Sequence, residues 1–79
     1  FAYIPRDLQL DILRHYRGYV QFVQQFLLAA RERVTSVPAI RDFERVHYLR
    51  MLDHKLLLLA ADLEWVEREI AHTDAENRQ

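Results

Sequence analysis

The stretch Leu49-Arg50-Met51-Leu52-Asp53-His54-Lys55-Leu56-Leu57-Leu58-Leu59-Ala60-Ala61-Asp62-Leu63-Glu64-Trp65-Val66-Glu67-Arg68-Glu69-Ile70 decides the fold. Within it Leu49, Leu52, Leu56, Leu59, Leu63, Val66 and Ile70 alternate spacings of three and four without a miss. That pattern is the seam of knobs-into-holes helix packing. Met51, Leu58 and Trp65 recur every seven residues as a second stripe, about 130° around the helix from the centre of the seam. Leu57 faces out on the other flank. The middle of this helix, Leu56 to Ala61, is therefore apolar all round, the mark of a helix buried on several sides.

Upstream, Ile12, Tyr16, Tyr19, Val23, Phe26 and Ala30 alternate spacings of four and three, and Leu13, Val20, Leu27 and Val34 recur every seven residues beside them. Arg14, Arg17, Gln21, Gln24, Gln25, Arg31 and Glu32 take the complementary face, which predicts a second amphipathic helix with a broad apolar side. Pro5 suits the start of this helix. Pro38 belongs in the first turn of the next one, capped by Thr35 or Ser36. Gly18 costs its helix about 1 kcal/mol relative to Ala, and the expected reason is close approach of another backbone. The residues from Thr73 to Gln79 hold no apolar side chain larger than Ala75 and are expected to fray. The fold class is all-α: a helix over about 5–34, a turn over about 35–38, a helix over about 39–72 and a frayed tail over 73–79. The short turn makes the two helices an antiparallel hairpin. Its surplus apolar surface is expected to be covered by dimerisation into a four-helix arrangement, or by docking on another domain.

Composition narrows the function. The 79 residues include one Gly, two Pro and no Cys, so disulfides and cysteine-type zinc sites are excluded. With 51% hydrophobic and 29% charged residues the chain has a folding composition. Eleven basic residues against twelve acidic ones give a net charge of −1, too little positive charge for a free-standing nucleic-acid binder. Ten of the eleven are Arg, a side chain suited to planar and bidentate contacts. No apolar run approaches the length of a membrane span. Phe1 is not an initiator Met, so the chain is expected to be a piece of something longer, or one processed so that its front is removed.

Catalytic groups are sparse. There is no Gly-rich phosphate loop, no Cys nucleophile, and a single Ser better read as a helix cap. Glu44 and His47 make one Glu-x-x-His, whereas carboxylate-bridged di-iron bundles need two such motifs and two further Glu. His54 has no local co-ligand at helical spacing, and His15 and His72 read as surface or helix-end groups. No metal, no cofactor and no enzymatic activity are expected. Trp, Met and Tyr side chains offer flat, polarizable surface, and Trp65, Met51 and Leu58 are the candidate ligand-binding or dimer-contact residues.

The opening Phe1-Ala2-Tyr3-Ile4-Pro5-Arg6-Asp7 resembles the segment leading into the C-terminal domain of PadR-type transcriptional regulators, where an apolar stretch ends in a Pro ahead of a long helix. The run from His54 to Glu67 resembles that family's last helix, with its acidic-Leu-x-Trp-aliphatic-acidic pattern matched by Asp62-Leu63-Glu64-Trp65-Val66-Glu67. The resemblance spans nearly the whole chain. It implies a bacterial cytoplasmic regulator whose C-terminal helices drive homodimerisation and, in some members, help to sense small aromatic or lipophilic effectors. It also implies that DNA is contacted only through an N-terminal winged-helix domain that these residues do not contain. A helical-hairpin adaptor that docks on another protein is the alternative expectation.

Overall fold

The computed structural model describes residues 4–77. Phe1, Ala2 and Tyr3 of the family-like opening, and Arg78 and Gln79 of the expected frayed tail, lie outside the described residues. Two helices, α1 (Arg6–Ser36) and α2 (Asp42–Asn77), pack against each other as a hairpin. The hairpin measures 56 × 18 × 14 Å, a rod one helix thick in its shortest dimension.

The seven seam residues of α2 face α1. Val66 is fully buried, and Leu49, Leu52, Leu56, Leu59, Leu63 and Ile70 are half-buried. The facing line on α1 is Leu10, Leu13, Val20, Leu27 and Val34, with Leu10 and Val20 buried. Arg17 and Gln24, expected on the polar face, are half-buried in that same line. Their long stems lie along the seam while the polar ends reach its edge. By contrast Ile12, Tyr16, Tyr19 and Phe26 stand exposed. The heptad carried by Leu13 and Val20 wins because a two-helix contact is narrow and admits one line of side chains from each partner.

Register is marked by two cross-hairpin ion pairs. Arg17 reaches Glu67 at 3.2 Å and Arg31 reaches Asp53 at 2.8 Å. The two Arg are fourteen residues apart on α1, and their partners are fourteen apart in the opposite direction on α2. Both pairs sit at the solvent-facing edge of the seam, where water screens the charges, so neither adds much to stability. Their value is in distinguishing this alignment from one slipped by a heptad.

The helix ends correct several expectations. Pro5 is the N-cap rather than a helical residue, and α1 starts at Arg6. Thr35 and Ser36 do not cap the second helix. They complete α1, donating their hydroxyls back to the carbonyls of Arg31 (2.9 Å) and Glu32 (3.0 Å). The residue before a proline is pushed into extended backbone, and Val37 sits at φ −80°, ψ 116°, so α1 stops there. Arg45 then bonds the carbonyls of Val37 (2.8 Å) and Ile40 (3.0 Å) through Nη2. This clasp holds Pro38 and Ala39 in the turn and delays α2 to Asp42. Asp42 and Glu44 then complement the positive helix end.

At the other end α2 continues past residue 72 to Asn77 instead of fraying. Thr73 lies seven residues beyond Val66 and is only 7% exposed, so it extends the seam with a small side chain. Arg6 reaches across to the Glu76 carbonyl at 2.6 Å and to its carboxylate at 3.8 Å. His72 meets the same carboxylate at 2.8 Å. Gly18 also departs from expectation, because a Cβ built there meets nothing within 4 Å. Among the described residues no other backbone packs against it.

Two substitutions test this packing in urea melts. Val66→Ala opens a void at the most buried position and lowers stability by about 2 kcal/mol. Gly18→Ala adds a methyl group in open space and raises stability by about 1 kcal/mol.

Candidate functional site

An open groove of about 640 Å³ runs between the helices in the half of the hairpin away from the turn. Gln9, Ile12, Leu13 and Tyr16 line it from α1, and Trp65, Glu69 and Thr73 line it from α2. Helical spacing sets each contributor. Ile12 and Tyr16 are four apart on α1, and Trp65, Glu69 and Thr73 are each four apart on α2, so both rows rise from the flank of the seam on one side. Most of the lining is apolar, and Gln9, Tyr16, Glu69 and Thr73 bring its few polar groups. A space of this size with few polar groups suits a small, flat apolar molecule.

Tyr16 has the most distinctive chemistry in the groove. Its hydroxyl donates to Asp62 Oδ2 at 3.3 Å across the helix pair. Its pKa is raised above the ordinary phenol value by partial desolvation, then by the negative charge and hydrogen bond of Asp62, with Tyr19 adding a smaller effect. The Arg31 guanidinium is likewise held above its usual value, chiefly by its hydrogen bond to Asp53 and then by that carboxylate's charge.

Of the three residues expected to form the ligand or dimer surface, only Trp65 lines the groove, and it remains 47% exposed. Met51 and Leu58 are exposed at 52% and 48% on the same stripe. Met51 and Trp65 are fourteen residues apart, which is about 21 Å of helix, too far for one small ligand to touch both within a single copy. In the groove Trp65 is accompanied by Ile12, Tyr16 and Glu69, neighbours that helical periodicity alone does not reveal. Ile12 and Tyr16 are legible in the sequence as part of the broad apolar side of α1, but nothing in that pattern sets them against Trp65. A second hollow of about 290 Å³ lies on α1 toward the turn, where Ala29 and Ala30 leave room between Phe26, Arg33 and Val34.

The seam residues Leu49, Leu52, Leu56, Leu59, Leu63, Val66 and Ile70 are occupied by packing on α1. Among the described residues no three His, Asp or Glu side chains gather as a metal site, and no helix is long and apolar enough to cross a membrane. His15 Nδ1 lies 2.8 Å from the Asp11 carbonyl, an ordinary helix-surface contact. No family model, curated protein or solved structure matches the chain.

Tyr16 gives this site a pH signature. A raised phenol pKa in the folded state means the neutral form is favoured by folding, so its contribution is full below pH of about 10 and is lost as pH rises through the raised value. Titrating the phenolate absorbance is expected to show one tyrosine ionising late, and Asp62→Asn brings it back toward the ordinary value. In alkaline melts, Tyr16→Phe removes the part of the stability loss that this group causes.

Proposed function

We propose that this chain is the dimerisation and effector-sensing domain of a PadR-like bacterial transcriptional regulator, acting in the cytoplasm and without enzymatic activity. One observation carries the reading. Among the described residues only Leu10, Val20 and Val66 are buried apolar side chains, while fifteen large apolar side chains are exposed. Monomeric proteins rarely leave contiguous apolar surface of this kind in water. A second copy of the chain covers it and supplies the stability that a two-helix core lacks.

The effector half of the reading rests on the groove beside Trp65. An indole face, the Tyr16 ring and Ile12 suit a planar aromatic or lipophilic molecule. The Asp62-Leu63-Glu64-Trp65-Val66-Glu67 motif supports it as well, because Leu63 and Val66 serve the seam while Trp65 is left at the surface. A ligand that favours one arrangement of paired hairpins shifts the population toward it. DNA-reading heads attached to the hairpins then change their spacing, and spacing governs which half-sites fit.

A second reading, a hairpin adaptor for another protein, is favoured by Phe43, Val46 and Leu57. These are exposed at 70%, 56% and 69% on the flank of α2 away from Trp65. Sedimentation equilibrium separates the readings. A dimer at micromolar concentration is expected, and a monomer at high micromolar concentration overturns the homodimer and leaves the adaptor. Titrating a panel of planar aromatics while following Trp65 fluorescence is expected to give a saturable change. A flat response across the panel removes effector sensing and leaves dimerisation standing.

A further inference from the structure

The dimerisation reading says nothing of which face is used or in which direction the copies run, and the placement of exposed residues carries that further step. Ile12 and Tyr16 of α1 line the same groove as Trp65 of α2. Helical spacing continues the first row through Tyr19 and Phe26 and the second through Leu58 and Met51, all of them exposed. One side of the hairpin thus carries large apolar side chains along its length, with Lys55, Asp62 and Glu69 set among them. At 56 Å by 18 Å that side has the extent for a standard interface, which buries about 800 Å² per partner.

Charge selects the direction. The turn half, from Arg31 to Lys55, holds six Arg and Lys against four Asp and Glu, while the rest of the chain holds five against eight. Copies running the same way bring like ends together, and copies running in opposite directions bring the basic end of each onto the acidic end of the other. The order of residues along α2 agrees. Met51 and Trp65 lie seven residues on either side of Leu58, and His47 and Glu69 lie eleven on either side. Lys55 and Asp62 stand in nearly the same relation. On α1, Tyr19 and Phe26 are symmetric about the boundary between Phe22 and Val23. A two-fold interface sets residue i of one copy against residue j of the other and j against i, and the residues equidistant from Leu58 form pairs that complement one another: indole with thioether, and imidazole or ammonium with carboxylate.

We propose that two copies pack through this face in opposite directions, with the two-fold axis beside Leu58, so that Leu58 meets the partner's Leu58 and Trp65 meets the partner's Met51. The thioether against the indole is a favourable contact. It also closes the open side of the Trp65 groove with a residue that its own copy holds about 21 Å away. Lys55 lies near the partner's Asp62. This inference rests on the dimerisation reading, and the experiment keeps their failures apart.

The chain has no cysteine, so single-cysteine variants of the full chain report one position each. Under mild oxidation Leu58→Cys is expected to form a covalent dimer with itself. Met51→Cys and Trp65→Cys are expected to cross-link when mixed, and not separately. Leu58→Glu places two carboxylates at the axis and weakens the dimer at least a hundredfold by sedimentation, and because position 58 is already half exposed and outside the seam, any helix content lost by circular dichroism returns as the protein concentration is raised. A wild-type chain that sediments as a dimer, with Leu58→Cys uncross-linked and Leu58→Glu still dimeric, overturns this arrangement and spares dimerisation. A monomeric wild-type chain overturns both.

Discussion

Two cylinders touch along one line, and every other property of this hairpin follows from that limit. The line is filled by one row of α2, from Leu49 to Ile70, and one row of α1, from Leu10 to Val34. It fully buries very little: three apolar side chains and Thr73 among the described residues. Loss of backbone and side-chain freedom costs a chain of this length on the order of 100 kcal/mol, so a core this thin makes apolar surface outside the seam the natural source of further stabilisation. The exposed row of α1 and the Met51–Leu58–Trp65 stripe are therefore as much a part of the energetics as the seam.

The architecture was legible from α2 alone, because Leu49, Leu52, Leu56, Leu59, Leu63, Val66 and Ile70 compete with nothing else of equal regularity. The phase of α1 was harder to read. Tyr16, Tyr19 and Phe26 are as apolar as Leu13 and Val20, and a pattern of hydrophobicity cannot say which of two parallel rows meets the partner. What decides it is side-chain reach: Arg17 and Gln24 occupy seam positions because their stems pack while their polar ends leave. Charge at a position is a weaker indicator of exposure than its place in the heptad.

The ends of the helices were ambiguous for a different reason. A Thr or Ser hydroxyl bonds equally well to a free amide ahead of it or to a carbonyl four residues behind, and Thr35 and Ser36 took the second option. Pro38 made the choice by forcing Val37 into extended backbone. The far end depended on one contact between residues 70 positions apart: Arg6 on Glu76 is invisible to any local pattern. The groove shares that character, since Ile12, Tyr16 and Trp65 become neighbours only once the antiparallel register is set. Trp65 itself was legible as an outward aromatic, whereas its companions were not.

Burial is unevenly divided along the rod. Leu10, Val20, Val66 and Thr73, the buried residues among those described, all lie in the half away from the turn. In the half that contains the turn, Leu27, Val34, Leu49 and Leu52 are each only partly covered. The end joined by covalent bonds is thus the loosely packed one, and the end joined by nothing but side chains is the tight one. Local opening draws on the regions with least buried surface, so the hairpin parts first beside its own turn. It behaves as a pair of tongs gripped at the tips and slack at the pivot.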